Sequence, residues 1–262
     1  MPGLALLCDD VYDMLYYDGK APPPPIACLD HYLGNNDAVA NLDKPWSGDY
    51  FPEDGQGRKG GVISMGTFSK IVAPGLRLGW MHTQKTLIDD YFMSRGYVSS
   101  GGGLNPFTSG IVKVMIDDAN RDGSFAACEG SDVSVSLSSH VRELCRVYGH
   151  RAKVLTAELA RLFPTATILP KGSDGKSDGE GLGGYFVWMK LGQSDVDKYN
   201  RNTFLTSCRN RGVNVLSGPA CAAPVDGQSP FLHCYRLCFA HYDGDSLIEG
   251  ARRLRLALDD SY

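Results

Sequence analysis

Three short apolar runs in the first third of the chain stand between polar segments. Residues 4–8 form an apolar run that ends abruptly at Asp9, and residues 62–65 and 76–81 have the same character. Short unbroken apolar runs are typical of strands that are buried on both faces of a parallel sheet. The polar, Gly- and Pro-rich stretch of residues 19–61 is too long for an ordinary connection, and we interpret it as a surface excursion.

The rest of the chain alternates helical and extended patterns. From residue 141 to 163, apolar side chains recur every three or four positions until Pro164, which predicts a long helix. Strands are predicted at residues 167–169, 185–189 and 232–240, and helices at residues 196–211 and 246–258. The pattern predicts an α/β protein of two lobes, with one domain over residues 1–140 and a smaller α+β domain over residues 141–262.

Composition narrows the class of protein. Apolar residues make up 43% of the chain, charged residues make up 21%, and the net charge is −4. Because no basic face is visible, we expect no nucleic-acid partner and no membrane partner. No secretory signal is recognisable at the N-terminus. The eight cysteines form no C-x-x-C pair and do not cluster with the six histidines, which predicts a cytoplasmic protein with reduced thiols and no metal site.

The most informative segment is residues 66–80, GTFSKIVAPGLRLGW. In this segment Lys70 follows a predicted buried strand, and burial lowers the pKa of a lysine and makes its amine a nucleophile for a carbonyl. The hydroxyls of Thr67 and Ser69, together with the planar guanidinium of Arg77, are suited to hold a phosphate. A surface lysine at the end of a strand is the alternative interpretation, although the fifteen-residue string is far more specific than one lysine.

Two further segments carry polar groups in otherwise apolar surroundings. Asp9, Asp10 and Tyr12 directly follow the first predicted strand, where an acidic turn without function is the alternative. Arg236 lies inside the apolar string YRLCFA. A buried arginine is costly unless a group pairs with it, and the alternative is an edge arginine that reaches solvent.

Together these segments resemble the class I/II, fold-type I aminotransferases that depend on pyridoxal phosphate. The string around Lys70 is similar to the family's lysine signature, and D-x-x-Y and R-L-x-F-A are similar to two of its other motifs. The branch with 2-aminoadipate, kynurenine and aromatic aminotransferases is the most similar. The resemblance implies that Lys70 is the catalytic Schiff-base lysine, that Asp9 contacts the pyridine nitrogen and Tyr12 the phenolic oxygen, that Thr67, Ser69 and Arg77 bind the phosphate, and that Arg236 binds the substrate carboxylate.

The resemblance covers only the C-terminal part of the family's fold, an incomplete large α/β domain followed by the small domain. It implies an N-terminally truncated transaminase that acts on an α-amino acid and a 2-oxo acid and is a homodimer in its full-length form. The loop of residues 99–106 resembles a family loop near the dimer interface. We expect weak or no cofactor binding by residues 1–262 alone. A related lyase and a non-enzymatic, aminotransferase-like sensor or structural remnant are the alternatives.

Overall fold

The computed structural model describes residues 6–17, 26, 62–83, 88–94, 105–117, 137–169, 183–223 and 230–262. The chain divides into two compact units, which are described separately. The first comprises Met1–Leu15 and Ala21–Leu144, and the second comprises Tyr16–Lys20 and Cys145–Tyr262. The division into domains at residue 140 stays a prediction.

The first unit contains a three-stranded sheet. Its strands are β1 (Leu6–Asp9), β2 (Val62–Thr67) and β3 (Gly79–His82), in the order β1-β2-β3. β1 is parallel to β2, as predicted for a parallel sheet, whereas β3 is antiparallel to β2. A 3-10 helix (Pro74–Leu76), a short π-helix (Ile88–Met93) and helix α1 (Pro106–Asp117) belong to the same unit.

Two expectations about these strands are wrong. β1 is not buried on both faces, because Leu6 and Leu7 are 46% and 63% exposed while Cys8 is buried. Alternate side chains of a strand lie on opposite faces, and no described residue covers the face that bears Leu7. The third strand begins at Gly79 rather than at residue 76, because Pro74–Leu76 forms a 3-10 turn and Arg77 adopts the left-handed conformation, with φ 48°.

The second unit has a four-stranded antiparallel sheet with helices. The strands β4 (Thr167–Leu169), β5 (Phe186–Lys190), β6 (Leu216–Ser217) and β7 (Cys234–Cys238) lie in the order β4-β5-β7-β6. The helices are α2 (Leu137–Leu162), whose first residues fall in the first unit's range, α3 (Gln193–Val196), α4 (Arg201–Asn210) and α5 (Gly244–Asp259). A 3-10 helix (Gly218–Cys221) follows β6.

The core of the second unit lies on one face of this sheet. Val187 and Met189 on β5 and Tyr235 on β7 are completely buried. They pack against the apolar stripes of the three longer helices, namely Ala152, Leu155 and Leu159 of α2, Phe204 and Cys208 of α4, and Leu247, Ala251, Leu254 and Leu258 of α5. Each fully buried large apolar side chain contributes about 1.5–3 kcal/mol, so this face holds the unit together.

Two helices lie close to their predicted positions, whereas the predicted helix 196–211 is divided, because α3 ends at Val196 and α4 begins only at Arg201. The predicted helix 141–163 is α2, and the predicted helix 246–258 is α5, which Asp243 caps by accepting the N–H of Ser246 at 2.8 Å. Asn200 caps α4 in the same way. Of the helices in the described ranges, none is long and apolar enough to cross a bilayer.

Candidate cofactor site

The turn that carries Lys70 begins where β2 ends, at Thr67. The backbone N–H of Ser69 donates to the Thr67 hydroxyl at 3.1 Å, and this hydroxyl donates to the carbonyl of Leu78 at 3.3 Å. Ile71 is buried and anchors the turn, whereas Lys70 is half-buried. The turn therefore holds the Lys70 amine at the end of β2 on a short, hydrogen-bonded loop.

Lys70 and Tyr12 come together at one end of the sheet. The Nζ atom of Lys70 lies 5.9 Å from the centroid of the Tyr12 ring, a distance at which an aromatic face attracts a cation. Tyr12 belongs to the turn that follows β1, and its carbonyl accepts the N–H of Leu15 at 2.9 Å. Because β1 and β2 are parallel neighbours, the turns after both strands emerge at the same edge. The residue predicted to bind the cofactor's aldehyde and the residue predicted to contact its phenolic oxygen thus lie close together.

The two consecutive aspartates have different environments. Asp9 ends β1 opposite Met65, and its side chain is exposed. The backbone N–H of Asp10 donates to the Met65 carbonyl at 2.9 Å, and its carboxylate accepts a hydrogen bond from the hydroxyl of Ser64, which is buried. Asp10 is therefore tied to β2, while Asp9 is the carboxylate that a ring nitrogen could reach. The sequence analysis missed Ser64, although a hydroxyl in an apolar strand was a signal.

The predicted phosphate donors bond to their own turn in this structure. Arg77 is exposed, and its Nη1 atom donates to the carbonyl of Pro74 at 3.2 Å. The hydroxyl hydrogen of Thr67 is directed at Leu78, as described above. The bond of Arg77 is at the long end of the normal range and that of Thr67 is beyond it, and a phosphate oxygen is a stronger, charge-assisted acceptor. A bound phosphate would therefore compete with both bonds; no hydrogen bond joins Arg77 to Thr67 within the part of the chain that the structure describes.

Close packing fixes the strands on which this end of the site is built. A Cβ atom at Gly66 would lie 2.2 Å from the indole of Trp80, and a Cβ atom at Gly79 would lie 2.7 Å from the Gly66 carbonyl oxygen. The indole of Trp80 also contacts the ring of Phe68, with 4.8 Å between the centroids. Glycine at these positions allows β2 and β3 to hold Trp80 against Phe68, which lies two residues before Lys70.

Burial controls the titrating groups inside this sheet. Burial raises the pKa of the Cys8 thiol, and the charge of Asp10 raises it further. Burial also lowers the pKa of His82, on β3. Both groups are therefore uncharged near neutral pH.

Arg236 belongs to the second unit. It lies on β7 opposite Trp188 of β5 and Leu216 of β6, on the face of the sheet that is opposite the core. Its side chain is half-buried, and its Cζ atom lies 4.1 Å from the centroid of the Phe186 ring. The arginine is thus held between strands in apolar surroundings, as the sequence suggested. Most of the loop 99–106 lies outside the described residues, apart from Asn105 and Pro106, and Asn105 caps α1.

Several of the known proteins to which the chain is similar are aminotransferases, and a shorter match, 29% identical over 101 residues, is to an uncharacterized HTH-type transcriptional regulator of Bacillus subtilis. No family model matches the chain. An uncharacterized aminotransferase of Saccharolobus solfataricus is 25% identical over 246 residues, which are 94% of this chain and 46% of that protein. The 2-aminoadipate transaminase of Thermus thermophilus is 24% identical over 260 residues, which are 98% of this chain and 49% of that protein.

The fold agrees with these sequence relatives. The chain matches the structure of LysN, the α-aminoadipate aminotransferase of Thermus thermophilus, with a TM-score of 0.63 at 21% identity. The match covers 98% of this chain and 50% of LysN, which was solved in complex with N-(5'-phosphopyridoxyl)-L-leucine. The chain spans about half the length of the curated relatives it matches. Over that half the chain is similar in sequence to aminotransferases and has the fold-type I architecture of the solved aminotransferase structures that it matches.

Proposed function

We propose that the protein is a transaminase that moves an amino group between an α-amino acid and a 2-oxo acid with pyridoxal phosphate bound at Lys70. The observation that carries the proposal is the meeting of Lys70 and Tyr12, with 5.9 Å between the amine and the ring centroid, at the sheet edge where Asp9 ends β1. An amine, a phenol and a carboxylate at one edge fit the imine end, the phenolic oxygen and the ring nitrogen of this cofactor.

Each of these residues would have a different role in the reaction. When bound, pyridoxal phosphate supplies an aldehyde that binds amines and a ring that accepts electrons. The Lys70 amine would hold the cofactor through that aldehyde, and the same amine, when free, would be the base that moves the proton from the substrate Cα. The Asp9 carboxylate would stabilise a proton on the ring nitrogen, and the Tyr12 hydroxyl would donate to the phenolic oxygen.

The phosphate and the substrate carboxylate need cations. Arg77, Thr67 and Ser69 would hold the phosphate once the hydrogen bonds of Arg77 and Thr67 within their own turn have been exchanged. In the second unit, Arg236 would bind the substrate carboxylate, because its planar guanidinium matches the two carboxylate oxygens.

The proposal concerns the whole protein. The relatives are about twice as long as this chain, so the activity, the two substrates, the homodimer and the cytoplasmic location are proposed rather than observed. For residues 1–262 alone we propose weak cofactor binding, because about half of the fold that the relatives use is not among them.

The test is covalent capture of the cofactor. The protein is mixed with pyridoxal phosphate, its visible absorbance is followed, and borohydride then fixes the bond so that mass spectrometry can locate it. We expect the cofactor on Lys70, no capture in Lys70→Ala, and normal capture in Lys153→Ala, which removes an exposed lysine of α2. Capture at other lysines to the same extent in Lys70→Ala would overturn the assignment.

A second measurement separates transamination from related reactions. The whole protein is incubated with an amino acid labelled with nitrogen-15 and an unlabelled 2-oxo acid. A transaminase transfers the label to the 2-oxo acid, whereas a lyase releases it as ammonia. A protein that captures the cofactor but transfers no label would be a lyase or a sensor.

A further inference from the structure

We propose that Phe186 positions the guanidinium of Arg236 by holding its flat face, so that its N–H edges point to a carboxylate. Phe186 is then a positioning residue for carboxylate binding, an assignment that the sequence analysis did not make. The inference rests on the proposed function of Arg236.

Strand register places the two side chains together. In the antiparallel pair β5 and β7, Phe186 lies opposite Cys238 and Trp188 lies opposite Arg236. Phe186 and Arg236 are therefore diagonal neighbours on one face of the sheet, a spacing that aromatic and long side chains can bridge. The Cζ atom of Arg236 lies 4.1 Å from the centroid of the Phe186 ring.

This contact does not itself occupy the hydrogen-bond donors of the arginine. At 4.1 Å the central carbon itself is in contact range of the ring, as it is when a guanidinium lies flat on an aromatic face. The five N–H donors of a guanidinium point outward in its plane. A ring below the plane therefore fixes the orientation of the group without competing for the donors that a carboxylate needs.

Other arginines of the second unit are used differently. Arg211 bonds to both carboxylate oxygens of Asp260, and Arg161 bonds to both of Glu158. These two arginines thus use their N–H donors in hydrogen bonds within the folded chain. Within the described residues Arg236 has no such carboxylate partner, and the residues beside it in register, Trp188 and Leu216, are uncharged.

The uncharged neighbours also affect the strength of binding. Apolar groups on both sides exclude water from an arginine, and a charge-assisted hydrogen bond is stronger where water is excluded. The ring of Phe186 limits the conformations that the Arg236 side chain adopts, so that less conformational entropy is lost when a ligand binds. Without that ring, Arg236 keeps its charge but loses its fixed orientation.

The test measures orientation and carboxylate binding in the same sample. The Nε–Hε signal of Arg236 is assigned in a nitrogen-15 NMR spectrum of the 262-residue chain by its loss in Arg236→Ala, and pyruvate is then titrated as a carboxylate probe. We expect the ring of Phe186 to shift this signal upfield. The upfield shift should disappear in Phe186→Leu and persist in Phe186→Tyr, while the signal itself remains visible in both variants. Pyruvate binding should weaken about two- to fivefold in Phe186→Leu and be unchanged in Phe186→Tyr.

Two controls separate this role from a purely structural one. Tyr242→Leu removes an exposed aromatic side chain of the same unit, whose ring contacts His241, and should leave both the Arg236 signal and pyruvate binding unchanged. In the whole protein, Phe186→Leu should raise KM for an amino acid and leave kcat unchanged, and it should not alter KM for the matching amine without a carboxylate. A variant that only loosened the fold would affect both substrates.

The outcomes distinguish this inference from the function on which it rests. Pyruvate binding that is equal in Arg236→Ala and in the unchanged chain, or absent from both, would overturn Arg236 as the carboxylate site. Binding that is lost in Arg236→Ala but equal to the unchanged chain in Phe186→Leu would overturn the role of Phe186 alone. An Arg236 signal that does not move in Phe186→Leu would do the same.

Discussion

The hydroxyl of Ser64 donates a hydrogen bond to the carboxylate of Asp10 across the two parallel strands of the first unit. This bond separates the two consecutive aspartates. Asp10 is held against β2, and Asp9, one residue earlier, keeps an exposed carboxylate at the strand end. The assignment of Asp9 rather than Asp10 to the ring nitrogen therefore has a structural reason.

Ser64→Ala should lower the free energy of unfolding by about 1–3 kcal/mol, because it removes a buried donor to a charged group. Asp10→Asn should cost less, since an amide oxygen can still accept the same bond. Asp9→Asn, at an exposed position, should change stability by less than about 0.5 kcal/mol. Urea denaturation of the three variants gives the comparison, and equal losses in Ser64→Ala and Asp9→Asn would contradict it.

Gly66→Ala should destabilise the first unit by about 1–3 kcal/mol, because the new methyl group must displace a packed ring. Its Cβ atom would lie 2.2 Å from the indole of Trp80, which Phe68 holds on another side. Gly75→Ala is the matched control, since nothing lies within 4 Å of its Cβ position. Denaturation and tryptophan fluorescence report the effect, and the double variant with Trp80→Leu should recover part of the loss.

The residues of the Lys70 turn could be predicted because their information is local. The end of β2 and the turn that carries Lys70 lie where the sequence predicted them, whereas the next strand begins at Gly79 rather than at residue 76. The Ser64–Asp10 bond could not be predicted in this way, because it joins residues that are 54 positions apart. The same holds for the contact of Arg236 with Phe186, which depends on the register of two strands that are distant in sequence.

Some elements of the fold were missed for a different reason. β6 has two residues, too few to produce an alternating pattern. α1 contains a glycine and several β-branched residues, which have low helix propensity, although Asn105 followed by Pro106 is a good helix start. The exposure of Leu7 could not be predicted, because the apolar pattern of a strand does not show whether other residues of the same chain cover both of its faces.

Thiol reactivity should follow burial and pKa. Burial raises the pKa of Cys208 from its ordinary value of 9.0 to about 12, and that thiol lies in the core, whereas Cys221 and Cys238 are exposed. Since the thiolate is the nucleophile, alkylation at pH 8 followed by peptide mass spectrometry should label Cys221 and Cys238 before Cys208. Cys208 should react only after unfolding, and fast labelling of native Cys208 would contradict its burial.

The same shift predicts a loss of stability in alkali. Because the folded-state pKa of Cys208 lies above its value in the unfolded chain, the unfolded state loses its proton first as the pH rises. The contribution of this thiol is complete below pH 9.0 and is lost between there and about pH 12. Cys208→Ala should therefore show a weaker decline of unfolding free energy above pH 9.0 than the unchanged chain, whereas Cys238→Ala should decline as the unchanged chain does.

Stability and phosphate binding should separate at Arg77. This residue has φ 48° and ψ 45°, and the left-handed conformation costs a residue with a Cβ atom about 1–2 kcal/mol. Arg77→Gly adopts it freely, whereas Arg77→Ala keeps the strain, so the glycine variant should be more stable than the alanine variant by about 1 kcal/mol.

Both variants lose the guanidinium, so both should capture less pyridoxal phosphate on Lys70 after borohydride reduction, and to the same extent. Urea denaturation measures the first quantity and mass spectrometry the second. Equal stability of the two variants would contradict the strain, and undiminished capture in both would remove Arg77 from the phosphate site.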